Sequence, residues 1–273
     1  MDSSRHKADK TPSAEAMYDA FSEDYDRFVD WDGRLAAEIP FIVRQLRSAD
    51  AQRVLDVACG TGMHAVALAR RGYKVVGVDS SVRMIERAHA NAADAGIEVT
   101  FDVAAFGGVV ETLAAEDICP TFDAVLCLGN SLPHLLTADQ LDRGLGDLAA
   151  CLTPGGLLLV QNRNFDAVLS KHDRWIDPQG HQRGDDEWLF VRFYDFEPSG
   201  LLTFNVVTLH RERDNPWAQR LTSTKLWPLT RQDLVPALER AGLGTVTLYG
   251  TMGGAEWDVE TSPNLVATAL KSW

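Results

Sequence analysis

No stretch of this 273-residue sequence approaches the roughly 20 consecutive apolar residues that a membrane-spanning helix needs. The opening MDSSRHKADKTPS has no apolar core of the kind a secretory leader carries, so a cytoplasmic chain with a disordered tail over residues 1–13 is expected. Cysteine is scarce. Cys59, Cys119, Cys127 and Cys151 show neither the CxxC spacing of a zinc site nor the density of a disulfide scaffold, so reduced, structural thiols and no metal site are expected. Positive charge is also in short supply: 26 Lys and Arg stand against 39 Asp and Glu, a net charge of -13, with no basic block. A phosphate backbone or an anionic membrane would be repelled on average, which argues against nucleic-acid and membrane partners and for a small molecule.

With 45% hydrophobic and 24% charged residues and no low-complexity tract or internal repeat, the remainder can bury a large core as one domain. Tyr18, Phe21, Tyr25 and Phe28, then Ile39, Phe41, Ile42 and Leu46, recur at helical steps, which predicts two helices over 14–47 with Pro40 in an early turn or kink of the second. Short apolar strands follow at 53–58, 74–78, 98–101, 122–128 and 157–161. Helices are expected between them at 62–71, 81–95, 105–116 and 138–152, a rhythm that implies a parallel sheet wound on both faces. Pro154-Gly155-Gly156 reads as the turn into the fifth strand. Runs at 187–196, 201–211 and 221–226 have no helix between them and predict an antiparallel insertion. A helix at 230–241, capped by Thr230 and ended by Gly242, and strands at 245–249 and 264–270 complete the chain.

The sharpest motif is VLDVACGTG, Val54 to Gly62, where the first strand meets its helix. Gly60 and Gly62 permit a tight turn and close backbone approach of a ligand. Asp79 ends the second strand nineteen residues after Gly60, where a carboxylate accepts both hydroxyls of a ribose. GTGMHA, Gly60 to Ala65, also satisfies the G-x-G-x-x-A pattern of nicotinamide dinucleotide enzymes, so these residues suit two cofactors. Asp56, four residues before Gly60, favours a cofactor with a charged amino-acid end.

Together with FDAVLCLGNSLPHL (Phe122 to Leu135) and QNRNFD (Gln161 to Asp166), these motifs resemble the class I S-adenosylmethionine-dependent methyltransferases, in particular the glycine and glycine/sarcosine N-methyltransferase group, over about residues 15–166. The resemblance implies an α/β, doubly wound, mostly parallel seven-stranded Rossmann-like sheet with an antiparallel β insertion after strand 5 and N-terminal lid helices. The expected layout is a helical lid at 14–50, a cofactor-binding core at 51–165, a substrate cap at 166–228 and a C-terminal helix and strands at 229–273, as one domain. It also implies S-adenosylmethionine as cofactor, with Ala58, Gly60 and Gly62 at the methionine and ribose portions, Asp79 with Ser80 at the ribose and Met84 on the adenine. Ala105-Phe106 stands where the group carries Asn-Trp, so stacking is kept and a polar contact to the adenine amine is lost. Arg34, twenty residues before Val54, would pair with the cofactor carboxylate, and Tyr18, Tyr25, Leu128 and Ser131 would close round the molecule.

At the strand ends, Asn130, His134 and Arg163 should face one cavity. By resemblance Asn130 and Arg163 hold a carboxylate of the acceptor, whose amine takes the methyl group. His134 either orients the acceptor or contacts the cofactor, or is a structural hydrogen-bonding group. Of Trp188, Phe190, Tyr194 and Phe204 in the insertion, strand alternation sends about half to the pocket, with Tyr194 reaching the acceptor. The competing expectations are N- or O-methylation of a natural-product small molecule, and an NAD(P)-dependent oxidoreductase, against which the absence of a Tyr-x-x-x-Lys pair counts. Monomer and homo-oligomer remain equally open.

Overall fold

The computed structural model describes residues 12–273. The tail expected over 1–13 lies outside them except for Pro12 and Ser13, and the Ser13 hydroxyl caps the first helix by accepting from Ala16 N-H. Two helices, α1 (Ala14–Phe28) and α2 (Trp31–Ser48), precede the sheet. Pro40 lies well inside α2 rather than in its first turn, on the exposed side of the helix.

The alternating section forms β1 (Arg53–Val57), α3 (Met63–Ala69), β2 (Lys74–Asp79), α4 (Val82–Ala95), β3 (Thr100–Val103), α5 (Val109–Ala115), β4 (Phe122–Cys127), α6 (Ala138–Ala150) and β5 (Leu152–Arg163). After the insertion come α8 (Arg231–Arg240), β10 (Leu243–Tyr249) and β11 (Asn264–Lys271). The seven strands lie in the order β10-β11-β5-β4-β1-β2-β3, with β11 antiparallel to both neighbours and the rest parallel. This is the expected sheet.

Both of its faces are covered, which is why the central strands read as unbroken apolar runs. Val54, Ala124, Leu126 and Leu159 pack against α2, α3 and α4, while Leu55, Val125, Cys127 and Val160 alternate with them and pack against α5, α6 and α8. Among the described residues no helix is long and apolar enough to cross a membrane, and all four cysteines are free thiols.

Three elements differ from expectation. The segment Pro154-Gly155-Gly156 belongs to β5, which starts at Leu152 and pairs with β4 through an irregularity beside Phe122. A short helix α7 (Phe165–Lys171), capped by Asn164, follows β5. The insertion has four strands, β6 (Trp175–Arg183), β7 (Asp186–Phe196), β8 (Leu202–Glu212) and β9 (Ala218–Leu226), in sequential antiparallel order.

This second sheet sits over the carboxyl ends of the parallel strands. Phe165 and Val168 of α7 pack on Tyr194, Leu202 and Leu226. Met17 and Phe21 of α1 pack on Trp188, Phe190 and Val206. Acidic side chains tie α1 down at several points: Asp19 accepts from Ser81 Oγ at 2.5 Å, Asp26 accepts from Thr61 Oγ1 at 2.6 Å and from Arg87 at 2.9 Å, and Asp24 pairs with Arg220 of β9. Helix α1 therefore bridges the core and the cap of its own chain.

Candidate functional site

The turn after β1 places three residues in the left-handed region: Ala58 at φ 54°, Gly60 at 56° and Gly62 at 75°. Such a sequence of turns throws the backbone clear of the strand end and opens a cleft above it. At Gly60 an added Cβ would meet only a Tyr25 ring carbon, at 3.7 Å, so the site tolerates a neighbour's approach. Gly62 differs. A Cβ there would stand 2.7 Å from the Phe101 ring and 2.9 Å from Ala88, so this glycine serves packing of β3 and α4 beneath the loop and lines neither of the two cavities described below. Gly62→Ala is expected to destabilise the fold by about 2–4 kcal/mol, from the left-handed φ and the overlap together. Urea unfolding checks it, and an unchanged midpoint would refute the packing role.

Asp79 closes the turn. Its Oδ2 accepts from Gly60 N-H and its Oδ1 from Ser81 N-H, each at 2.9 Å. Burial pushes its pKa up, and those backbone bonds pull the other way. Around it lies a cavity of about 210 Å³ lined by Ala58, Gly60, Asp79, Ser80, Met84 and Ala105, and also by Phe106, Leu128, Ser131 and Leu135. A carboxylate and the apolar side chains of Met84, Phe106 and Leu135 in one cavity suit a nucleoside, whose sugar hydroxyls need an acceptor and whose base needs an apolar surface.

A second cavity, of about 290 Å³, adjoins the first, and Tyr18, Tyr25, Gly129 and His134 line both. Asn130, Arg163 and Tyr194 face this second space, as do Phe204, Arg34 and Glu38. Asn130, at φ 69°, uses its side-chain oxygen to accept from Arg163 N-H at 2.9 Å, which fixes the loop after β4 to the end of β5. Gln161 supports the same loop, its Oε1 accepting from Gly129 N-H at 2.8 Å and its Nε2 donating to Asn264 at 2.9 Å.

Arg163 has no ion-pair partner among the described residues. Its Nε is buried without a hydrogen bond, and its guanidinium lies 6.0 Å from the Tyr194 ring centre. Asp166, the nearest acid in sequence, instead accepts from Arg231 N-H. Arg34 donates through Nε to Glu38 at 3.1 Å and lies over the Trp31 ring, so it faces the second cavity rather than the nucleoside end. His64 donates to the other Glu38 oxygen at 2.7 Å. Burial opposes the Glu38 charge, but His64 and Arg34 outweigh it and keep the carboxylate ionised, while burial keeps His64 neutral.

His134 Nε2 meets the Tyr18 hydroxyl at 3.1 Å where the two cavities join. Burial pushes the His134 pKa down to about 4, against a pull from the Lys225 backbone, and burial also raises that of Tyr18. Near neutral pH both groups are uncharged, and the imidazole tautomer sets which of the two donates. Asp56 lies behind these walls. It lines neither cavity, and its Oδ2 has no partner.

Burial and the Asp79 charge push the Asp56 pKa up to about 7, with Arg34 and the Ala65 backbone opposing. Below about pH 4 the acid is neutral in folded and unfolded chains alike, and it has no effect. As pH rises to about 7 only the unfolded chain ionises, so stability falls through that window. Asp56→Asn is therefore expected to gain on the wild type between those limits, by at most about 4 kcal/mol at the upper end. Urea unfolding of the ligand-free protein at pH 4.5 and 8 checks this, and a pH-independent difference would refute it.

Of the residues singled out in the sequence, the structure thus gathers Tyr18, Tyr25, Ala58, Gly60, Asp79, Ser80, Met84, Ala105, Phe106, Leu128 and Ser131 round the first cavity, and Asn130, His134, Arg163 and Tyr194 round the second. Trp188 and Phe190 turn to α1 instead. Sequence reasoning passed over Glu38, which stands one helical turn after Arg34, Gln161, which opens QNRNFD, and Arg192, two residues before Tyr194 on the same strand face.

The sheet order, the acid-closed loop after β1 and the paired cavities define a class I S-adenosylmethionine-dependent methyltransferase. The Methyltransferase domain family matches residues 54–156. A glycine/sarcosine N-methyltransferase of Aphanothece halophytica is 33% identical over 209 residues, covering 71% of this chain and 74% of that protein. Another of that name, from Halorhodospira halochloris, is 29% identical over 212 residues, 72% of this chain and 75% of the relative. The chain belongs to the family of these enzymes. Among solved structures, an S-adenosylmethionine-dependent methyltransferase from Clostridium acetobutylicum shares the fold at a TM-score of 0.74 and 15% identity, over 94% of this chain and 99% of that one. Between the two cofactors that GTGMHA left open, the family decides for S-adenosylmethionine.

Proposed function

We propose that this enzyme methylates the amine nitrogen of a small, carboxylate-bearing acceptor of the glycine or sarcosine kind. The observation that carries the reading is Arg163: a guanidinium facing the second cavity, without an acid to pair with, beside the Tyr194 ring. A planar guanidinium fork matches a carboxylate. The names of the two relatives described above point to the same acceptor class.

S-adenosylmethionine, when bound, supplies an electrophilic methyl group on a sulfonium. Asp79 and Ser80 would hold its ribose and Met84 and Phe106 its base. The terminal N-H groups of Arg34 would take its carboxylate, since only Nε is engaged with Glu38. Asp56, which lines neither cavity, would make no contact with it. Arg163, with the free amide N-H of Asn130 and the Tyr194 hydroxyl, would fix the acceptor so that its nitrogen faces the junction lined by Tyr18 and His134. The nitrogen lone pair forms the new bond to carbon as the carbon–sulfur bond breaks, the bonding pair stays on sulfur, and the extra proton on nitrogen leaves to water.

Such a displacement is limited by alignment at roughly 3–3.5 Å. A strong base is not required, and neutral His134 and un-ionised Tyr18 agree with that. Positive charge around the amine lowers its pKa and so favours the reactive neutral form. The packed rings of Phe21 and Phe28 on α1 exclude water from above.

The test is methyl transfer from labelled S-adenosylmethionine to glycine, sarcosine and dimethylglycine, with S-adenosylhomocysteine formation followed in parallel. Turnover of one of them is the expected result. Tight binding of S-adenosylhomocysteine with no turnover of any would overturn the acceptor assignment and direct attention to larger amines or hydroxyls.

A further inference from the structure

Arg192 gives the second cavity a second unpaired guanidinium. It lies on β7, flanked by Ile176 of β6 and Val206 of β8, and shares a strand face with Tyr194 two residues on. Its Nε is buried without a partner, its Nη2 donates to the carbonyl oxygen of Asp177 at 3.2 Å, and the group lies 4.9 Å from the centre of the Phe28 ring. No carboxylate of the described residues pairs with it. Burial lowers the Arg192 pKa, Arg163 lies close enough for its charge to add to that, and both guanidiniums act on the Tyr194 hydroxyl.

The rest of the molecule makes this arrangement unusual. Acids outnumber bases by 39 to 26, and arginines at far more exposed positions, such as Arg83, Arg87, Arg174 and Arg240, have each acquired an acid. A shielded cation without a counter-charge is costly, and two side by side are more so. The other charges facing the cavity do not relieve it. Arg34 and Glu38 neutralise each other across 3.1 Å, and Asp173 and Asp177, the acids that bear on Tyr194 and Arg192, are exposed side chains with no bond to either arginine. The wall therefore carries two positive charges that no carboxylate of the described residues pairs with.

An acceptor such as glycine brings one carboxylate and leaves one guanidinium uncompensated. We propose that the acceptor proper is an amine bearing two carboxylates, one held by Arg163 with Asn130 and the other by Arg192, with the Tyr194 hydroxyl between them. The proposal rests on the carboxylate-amine reading above and narrows it to the amino-dicarboxylate class. The methyl transfer itself is unchanged; the second acid is a handle for binding and for choice of substrate.

The decisive measurement titrates sarcosine, aspartate and iminodiacetate into the protein saturated with S-adenosylhomocysteine, and is followed by kcat/KM for each acceptor. Aspartate or iminodiacetate is expected to bind about ten- to a hundredfold more tightly than sarcosine, the range for one further charge-assisted contact. In Arg192→Met that preference is expected to collapse to within about threefold of unity, and Arg192→Lys to restore part of it, chiefly through KM. Melting temperature and S-adenosylhomocysteine affinity of both variants check that they fold. Equal losses for sarcosine and the dicarboxylates in Arg192→Met would make Arg192 a packing residue and overturn the proposal. Methylation of sarcosine with rejection of both dicarboxylates would overturn it while leaving the broader reading standing. Binding and methylation of none of the three would overturn both.

Discussion

Replacing Asp79 by alanine is expected to weaken S-adenosylhomocysteine binding about a hundred- to a thousandfold, measured by isothermal titration calorimetry. Each carboxylate oxygen of Asp79 already takes one backbone N-H, from Gly60 or Ser81, and each retains lone pairs for a hydroxyl. A hydrogen bond to a charged group contributes about 1.5–3 kcal/mol, so the loss of two reaches about 3–4 kcal/mol even when water recovers part of it. Every 1.4 kcal/mol is about tenfold in affinity. Alanine also releases the Gly60 N-H and with it the turn that shapes the cavity. Asp79→Asn separates the two effects, since it keeps one acceptor oxygen for Gly60 or for a ribose hydroxyl, and its loss should be nearer tenfold. Affinity within threefold of wild type in the alanine variant would remove the ribose from Asp79.

The first cavity was legible in the sequence because it is built locally. Val54 to Gly62 is one continuous strand and turn, and Asp79 is the end of the adjoining strand, so register fixes the one beside the other. The parallel strands were legible for a related reason: burial on both faces writes them as apolar runs with helices between. The second cavity is assembled from distant parts, α1, α2, the ends of β4 and β5, and the far sheet, and no spacing rule relates Arg192 to Arg163. Glu38 was hidden by the same cause. Its pairing with Arg34 follows helical periodicity, but its approach to His64 depends on how α2 packs on α3.

The missed strand β6 shows the limit of patterning at an edge. WIDPQGHQR holds one proline, one glycine and little apolar alternation, because its residues are mostly exposed and its one ladder, to β7, is broken between Ile176 and Gln179 at Pro178. Pairing with β7 holds the strand together, and β7 is apolar enough to be read. The same strand supplies Ile176 to the cavity and, from Asp177, the carbonyl that steadies Arg192. A segment that looks like loop in sequence is thereby part of the wall of the second cavity.

Arg163→Ala is expected to raise the acceptor KM about thirty- to three hundredfold while leaving S-adenosylhomocysteine affinity within about twofold, because Arg163 faces only the second cavity. Arg163→Lys should recover little of the loss, since an ammonium restores the charge but not the two parallel N-H bonds that a carboxylate takes from a guanidinium. Stability should move the other way. In the ligand-free protein Arg163 is a shielded charge without a counter-ion and in the field of Arg192, so its removal relieves repulsion and desolvation. The alanine variant should melt no lower than the wild type, even though the Tyr194 ring no longer has a guanidinium beside it. A side chain kept for structure would show the opposite pair of results, a lower melting temperature and an acceptor KM close to that of the wild type. Charge held in place at a cost to the empty protein, and repaid only when an acid enters, is what a carboxylate-binding site requires.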